Sequence, residues 1–93
     1  MKKERIVLPA DGADAEDFDV TAQALDRGQR ARFVRKARTD LGLSQAEFAR
    51  RFHVPVGTLR DWEQARVTAP DYAMAYVRVI ACAPDVVAQA VAS

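Results

Sequence analysis

The sequence predicts an all-α fold of five helices carrying a mostly irregular, acidic N-terminal arm. Three observations predict it. From Gln29 onward, apolar residues recur at spacings of three and four, the period of a helix with one buried face. Helix start and stop signals punctuate that pattern at Gly42, Ser44, Pro55, Pro70 and Pro84. Strand-like sequence is confined to Ile6-Val7-Leu8, and Pro9 ends it.

Residues 1–20 read as irregular, with 6–8 a short strand at most. Thr21 is a side-chain cap for a short helix over 21–27, and Gly28 marks a break. Residues 1–30 are therefore taken as a flexible arm, and 31–93 as the folded domain. The first long helix puts Phe33, Val34, Ala37 and Leu41 on one stripe and Arg32, Arg35, Lys36 and Thr39 opposite, as a solvated face. Gly42 stops it. Ser44-Gln45-Ala46-Glu47 has the S-x-x-E form of a capping box, in which Ser44 accepts from the Glu47 backbone N–H and Glu47 reaches back. A helix over about 45–52 follows, with Phe48, Ala49 and Phe52 apolar. His53 and Val54 turn the chain. Pro55 suits the start of the next helix, over about 56–64, with Leu59 and Trp62 inward and Arg60, Asp61 and Gln64 outward. Asp71–Cys82 reads as a fourth helix facing inward with Ala73, Tyr76, Val77 and Ile80, and Cys82 as a small core residue. Pro84 opens a fifth, whose Val86, Val87, Ala90 and Val91 form either a core stripe or a dimer seam.

Composition limits what such a domain does. Val, Leu, Phe and Ile make up 22 of 93 residues, enough to fold. Ala supplies 18 of the 46 hydrophobic residues, so the core is slender and leaves little room for a deep substrate cavity. A single Cys excludes an internal disulfide and a Cys-based metal site, a single His leaves no His pair for zinc, and His53 has no evident catalytic partner in the sequence. No glycine-rich phosphate loop is present, so the chain is not expected to be an enzyme or to need a cofactor or metal. Ile6-Val7-Leu8 is too short for a signal-peptide core, and no run approaches a membrane span. The expected location is cytoplasmic.

Charge is uneven beneath a net +1. Residues 1–30 carry net −2, residues 31–69 net +4, and residues 70–93 net −1. The basic middle fits either a polyanion partner or a solvated face. The acidic run Asp11, Asp14, Glu16, Asp17 and Asp19 fits either a solvating arm or a hook for a basic protein.

Two short helices joined by a tight turn inside a basic segment point to a helix-turn-helix. Ala49 is small where the helices must cross, and Val54 plugs the turn. On these residues the chain resembles a known family. The stretch Leu41-Gly42-Leu43-Ser44-Gln45-Ala46-Glu47-Phe48-Ala49, continued by Val54-Pro55-Val56-Gly57-Thr58-Leu59-Arg60-Asp61-Trp62-Glu63-Gln64, resembles the phage-repressor-like (Xre/Cro) helix-turn-helix. The second part is also similar to small HigA-type antitoxins of type II toxin–antitoxin pairs. The resemblance spans residues 34 to about 80.

It implies a phage-repressor-like fold and double-stranded operator DNA as partner, with the protein at the nucleoid. Val56, Gly57, Arg60 and Asp61 would enter the major groove. Ser44, Gln45, Thr58 and Arg66 would meet phosphates. Arg38 and Glu63 would form a structural ion pair. Arg60 is the natural guanine reader. Val56 would touch a thymine methyl, and Gly57 would allow close approach. Asp61 would accept from cytosine or hold Arg60 or Arg66. Readout this sparse implies a homodimer on DNA or a toxin-bridged assembly. The family's usual glycines are replaced by His53 in the turn and Ala65 after the second helix. A Cβ in a left-handed conformation costs about 1–2 kcal/mol, so that helix is expected to run on or end differently.

The full expectation is an autoregulating repressor that is also an antitoxin. Ile6, Val7 and Leu8 would add a strand to a small toxin, a ribonuclease, while Asp17, Phe18 and Asp19 would fill its basic cleft. The alternatives are a stand-alone Xre-type repressor and a protein-interaction module, the latter marked by salt-insensitive binding.

Overall fold

A computed structural model describes residues 21–92, which form five α-helices: α1 (Ala22–Asp40), α2 (Gln45–Phe52), α3 (Val56–Glu63), α4 (Asp71–Cys82) and α5 (Pro84–Ala92). The expected strand at 6–8 and the acidic run lie outside the described residues. Helix α1 packs against α3 and α4, α2 against α3 and α5, and α4 against α5.

Thr21 caps α1, its Oγ1 accepting from the Ala24 N–H at 3.0 Å. The expected break at Gly28 does not occur, and the two helices read from the sequence are one of 19 residues. A glycine inside a helix costs only about 1 kcal/mol relative to Ala. Here an Asp26–Arg30 pair at 3.0 Å straddles it. Arg30 also reaches Asp71 at 2.8 Å and the Ala69 carbonyl at 2.8 Å, tying this end of α1 to the start of α4.

Helix α1 ends in a Schellman motif. The N–H of Gly42 donates to Thr39 O at 2.9 Å and that of Leu43 to Arg38 O at 3.3 Å. Both bonds require a left-handed residue at 42, and Gly42 supplies φ +72. Helix α3 ends the same way. The Ala65 N–H donates to Trp62 O at 3.2 Å and the Arg66 N–H to Asp61 O at 2.9 Å. Ala65 takes φ 58, so α3 does not run on; it stops at Glu63 as a glycine-terminated helix would. His53 likewise adopts φ 59 after α2, and the Val54 N–H closes onto Ala49 O at 3.0 Å.

The core is built from Val34, Phe48, Phe52, Leu59, Val77 and Ile80, all nearly or fully inaccessible. The Phe48 and Phe52 rings meet at 4.9 Å, tilted by 56°. Tyr76 Oη donates to the Phe52 carbonyl at 2.7 Å, locking α4 onto the end of α2; burial of that phenol pushes its pKa up. One inward assignment needs correction. Cys82 is exposed, because it lies about 200° around α4 from buried Ile80. Of the α5 stripe left open between core and dimer seam, Val87 is buried, Val91 packs partly buried against the core, and Val86 remains 66% exposed. Among the described residues no single helix is long and apolar enough to cross a membrane; α4 and α5 together are, but they bend by 115° and bury Ala73, Val77, Ile80 and Val87 inside the domain.

Candidate nucleic-acid interface

Helices α2 and α3 are two turns each, joined by His53-Val54-Pro55. Val54 is buried in that turn and Ala49 is buried in α2. The small Ala49 lets the helix backbones approach, and Val54 ties the turn to the core.

The start of α2 carries a full capping box. Ser44 Oγ accepts from the Glu47 N–H at 3.0 Å, and Glu47 Oε1 accepts from the Ser44 N–H at 2.8 Å. The Ser44 backbone N–H, aided by the Ser44 side chain, holds the Glu47 carboxyl below its usual range. The N–H groups of Gln45 and Ala46 are left at the open end of the helix, the arrangement that suits a phosphate oxygen. Helix α3 starts at Pro55 without a side-chain cap.

Behind these helix ends sits a buried ion pair. Glu63 is only 4% exposed. Arg38 reaches it with Nε at 2.7 Å and Nη2 at 2.9 Å, a bidentate fork. The carboxylate raises the Arg38 pKa against the opposing effect of burial. Arg38 Nη1 also donates to Leu43 O at 2.9 Å, so one guanidinium pins α1, the α1–α2 loop and α3.

Two further partners escaped the sequence reading. Arg35, taken as part of a solvated face, donates to the Glu63 carbonyl at 2.9 Å and satisfies the end of α3. Gln45, half-buried at the first position of α2, donates through Nε2 to Glu63 Oε1 at 3.1 Å. Its Oε1 accepts from Arg60 Nε at 3.4 Å. Neither contact has a local sequence signal, because each joins residues brought together only by the fold.

On the outer side of α3, Gly57, Arg60 and Gln64 are exposed. Val56 is only half-exposed and packs against the core, so less of it is available to a thymine methyl than a fully outward residue would offer. Thr58 is half-buried. Asp61 Oδ1 is 3.4 Å from Arg66 Nη1. The structure thus brings Gln45 and Arg60 together above the buried Glu63, with Ser44 next to Gln45 and Asp61 next to Arg66. Ile6, Val7, Leu8, Asp17, Phe18 and Asp19 lie outside the described residues. Among the described residues no cluster of His, Cys, Asp and Glu forms a metal-binding set.

A family model described as helix-turn-helix matches residues 34–87. Among solved structures, a HTH XRE-family like protein from Agrobacterium tumefaciens is 44% identical and superposes with a TM-score of 0.62, the match covering 63% of this chain and 95% of that one. No curated protein matches the chain.

Proposed function

The chain belongs to the Xre-type helix-turn-helix family of DNA-binding regulators, and on that premise we propose that it is a sequence-specific transcriptional repressor that also serves as the antitoxin of a type II toxin–antitoxin pair. The domain binds the operator of its own operon. Gln45, Ser44, Thr58 and Arg66 meet phosphates, and Arg60 reads a base edge from α3, with Val56 and Gly57 lying against the groove. The N-terminal segment neutralises a small, basic toxin.

The observation that carries this reading is one of arrangement. A basic helix-turn-helix surface and an acidic segment of opposite character occur in one short chain. The capped α2, the exposed Arg60 and Arg66 on α3 and its exit, and the net +4 of residues 31–69 support the DNA half. The antitoxin half is supported by the acidic residues Asp11–Asp19 and the apolar Ile6-Val7-Leu8. Residues 22–30 are part of α1 and are tied down by Arg30, so the segment offered to the toxin is residues 1–20.

The test is purification of the tagged chain from its host in mild salt, followed by limited proteolysis. A stoichiometric small basic protein that protects residues 1–20 is the expected result. An arm cut equally fast with and without that protein refutes the antitoxin half. Retained DNA binding without any partner leaves a stand-alone Xre-type repressor.

A further inference from the structure

We propose that Gln45 positions Arg60 for base reading, and that the buried Glu63 carboxylate dictates how it does so. The inference rests on the reading of Arg60 as a base-contacting residue and adds a specificity role for a residue otherwise taken to touch only phosphate.

The argument is one of donors and acceptors. An ionised Glu63 offers acceptors only. The part of Gln45 that faces it at 3.1 Å must therefore be the amide NH2. That choice leaves the amide oxygen on the other side, facing Arg60 Nε at 3.4 Å. A guanidinium only donates, so the match is correct for Arg60 in this orientation and wrong in the flipped one. Glu63 is itself fixed by the Arg38 fork and is inaccessible to solvent, so it does not rotate to suit Gln45. Order passes outward from a rigid ion pair, through a half-buried amide, to an exposed arginine. Arg60 is long and rotamer-rich, and holding its Nε reduces the freedom lost when its terminal nitrogens grip a base. The Nε contact leaves both Nη groups to face DNA. The second amide hydrogen of Gln45 has no partner among the described residues and remains for a phosphate oxygen, so the two roles are compatible.

The experiment uses the full chain and a pool of duplexes randomised over two helical turns. Selection with the wild type defines the preferred site, and Arg60→Ala defines the base pair that Arg60 reads. Gln45→Met then removes the relay while keeping length. Both Arg38 bonds to Glu63 survive this change, so the domain stays folded, which circular dichroism checks. The expected result is that Gln45→Met loses about tenfold of the preference at the base pair read by Arg60, within the range that a bidentate arginine supplies. Gln45→Met placed on Arg60→Ala should cost no further preference there. Uniform weakening on all duplexes, with the base preference intact and a shallower salt slope, overturns the proposal and leaves Gln45 a phosphate contact alone. If Arg60→Ala itself changes no base preference, the assignment of Arg60 as reader fails, and the proposal fails with it.

Discussion

Replacing Ala65 by glycine should stabilise the domain. Ala65 holds φ 58 because the Schellman bonds at the end of α3 leave no alternative: the Ala65 N–H closes onto Trp62 O and the Arg66 N–H onto Asp61 O. A Cβ in the left-handed region costs about 1–2 kcal/mol. Glycine relieves that strain but makes the unfolded chain more flexible, which costs about 0.4–1 kcal/mol. The difference is a net gain of about 0.8 kcal/mol, or about 3–6 °C in the melting temperature of a domain this small. Thermal and urea unfolding followed by far-ultraviolet circular dichroism measures it. Ala75→Gly is the control, since Ala75 is exposed in the middle of α4 and the same chemical change there should cost about 1 kcal/mol. Opposite signs at the two positions are expected. If Ala65→Gly destabilises as much as Ala75→Gly, the left-handed termination of α3 is refuted.

Gly28→Ala should raise stability by about 0.5–1 kcal/mol, because Gly28 is inside α1 and an added Cβ meets nothing within 4 Å; a loss on urea titration would restore the break. Arg38→Ala should cost about 3–5 kcal/mol, since it strands the buried Glu63 with Gln45 as its remaining side-chain partner; a loss below 1 kcal/mol in the urea midpoint would place the pair outside the core. Gly57→Ala should leave the fold intact or improve it, there being nothing within 4 Å of the new Cβ. If α3 lies close in the major groove, the same variant should weaken operator binding in a gel-shift titration, whereas unchanged affinity would remove Gly57 from the contact. The Glu47 carboxyl is held below its usual 4.5 in the folded state, so its contribution is present above that value and fades as the pH falls through the lowered one. Urea midpoints of the wild type should therefore exceed those of Glu47→Gln at neutral pH, and the two should converge in acid.

What the sequence made legible was whatever depends on near neighbours. The capping box needs only Ser44 and Glu47, three residues apart, and its bonds are present at 3.0 and 2.8 Å. The helices of the basic segment were readable from the period of Phe48, Phe52, Leu59 and Trp62. Gly28 was misread because local propensity was asked to decide what Arg30 decides from outside the segment, through Asp71 and Ala69. Ala65 was a conflict between residue and position. Two backbone hydrogen bonds, each worth about 1 kcal/mol, outweigh the strain of one Cβ. The roles of Arg35 and Gln45 were invisible because Glu63, the residue both meet, is 28 and 18 positions away.

The geometry of α3 also limits how the proposed repressor distinguishes its operator. Asp61 is held by Arg66, Val56 is half-committed to the core, and Gly57 has no side chain to read with. Arg60 on α3 and Gln64 just past its end are left as long, exposed polar side chains. One bidentate arginine supplies about 1–3 kcal/mol of discrimination. Specific binding sites are typically preferred over random DNA by about 4–10 kcal/mol. A single copy therefore falls short, and two copies on a palindromic site reach only the lower part of that range. On that reading the remainder would come from Gln64 and from the shape and stiffness of the DNA between half-sites. Two consequences are measurable together. The DNA complex should contain two chains per duplex by light scattering, and replacing the uncontacted central base pairs by a sequence of different stiffness should change affinity as much as altering one base read by Arg60. One chain per duplex, combined with indifference to the central sequence, would mean that α3 reads more bases than its exposed side chains account for.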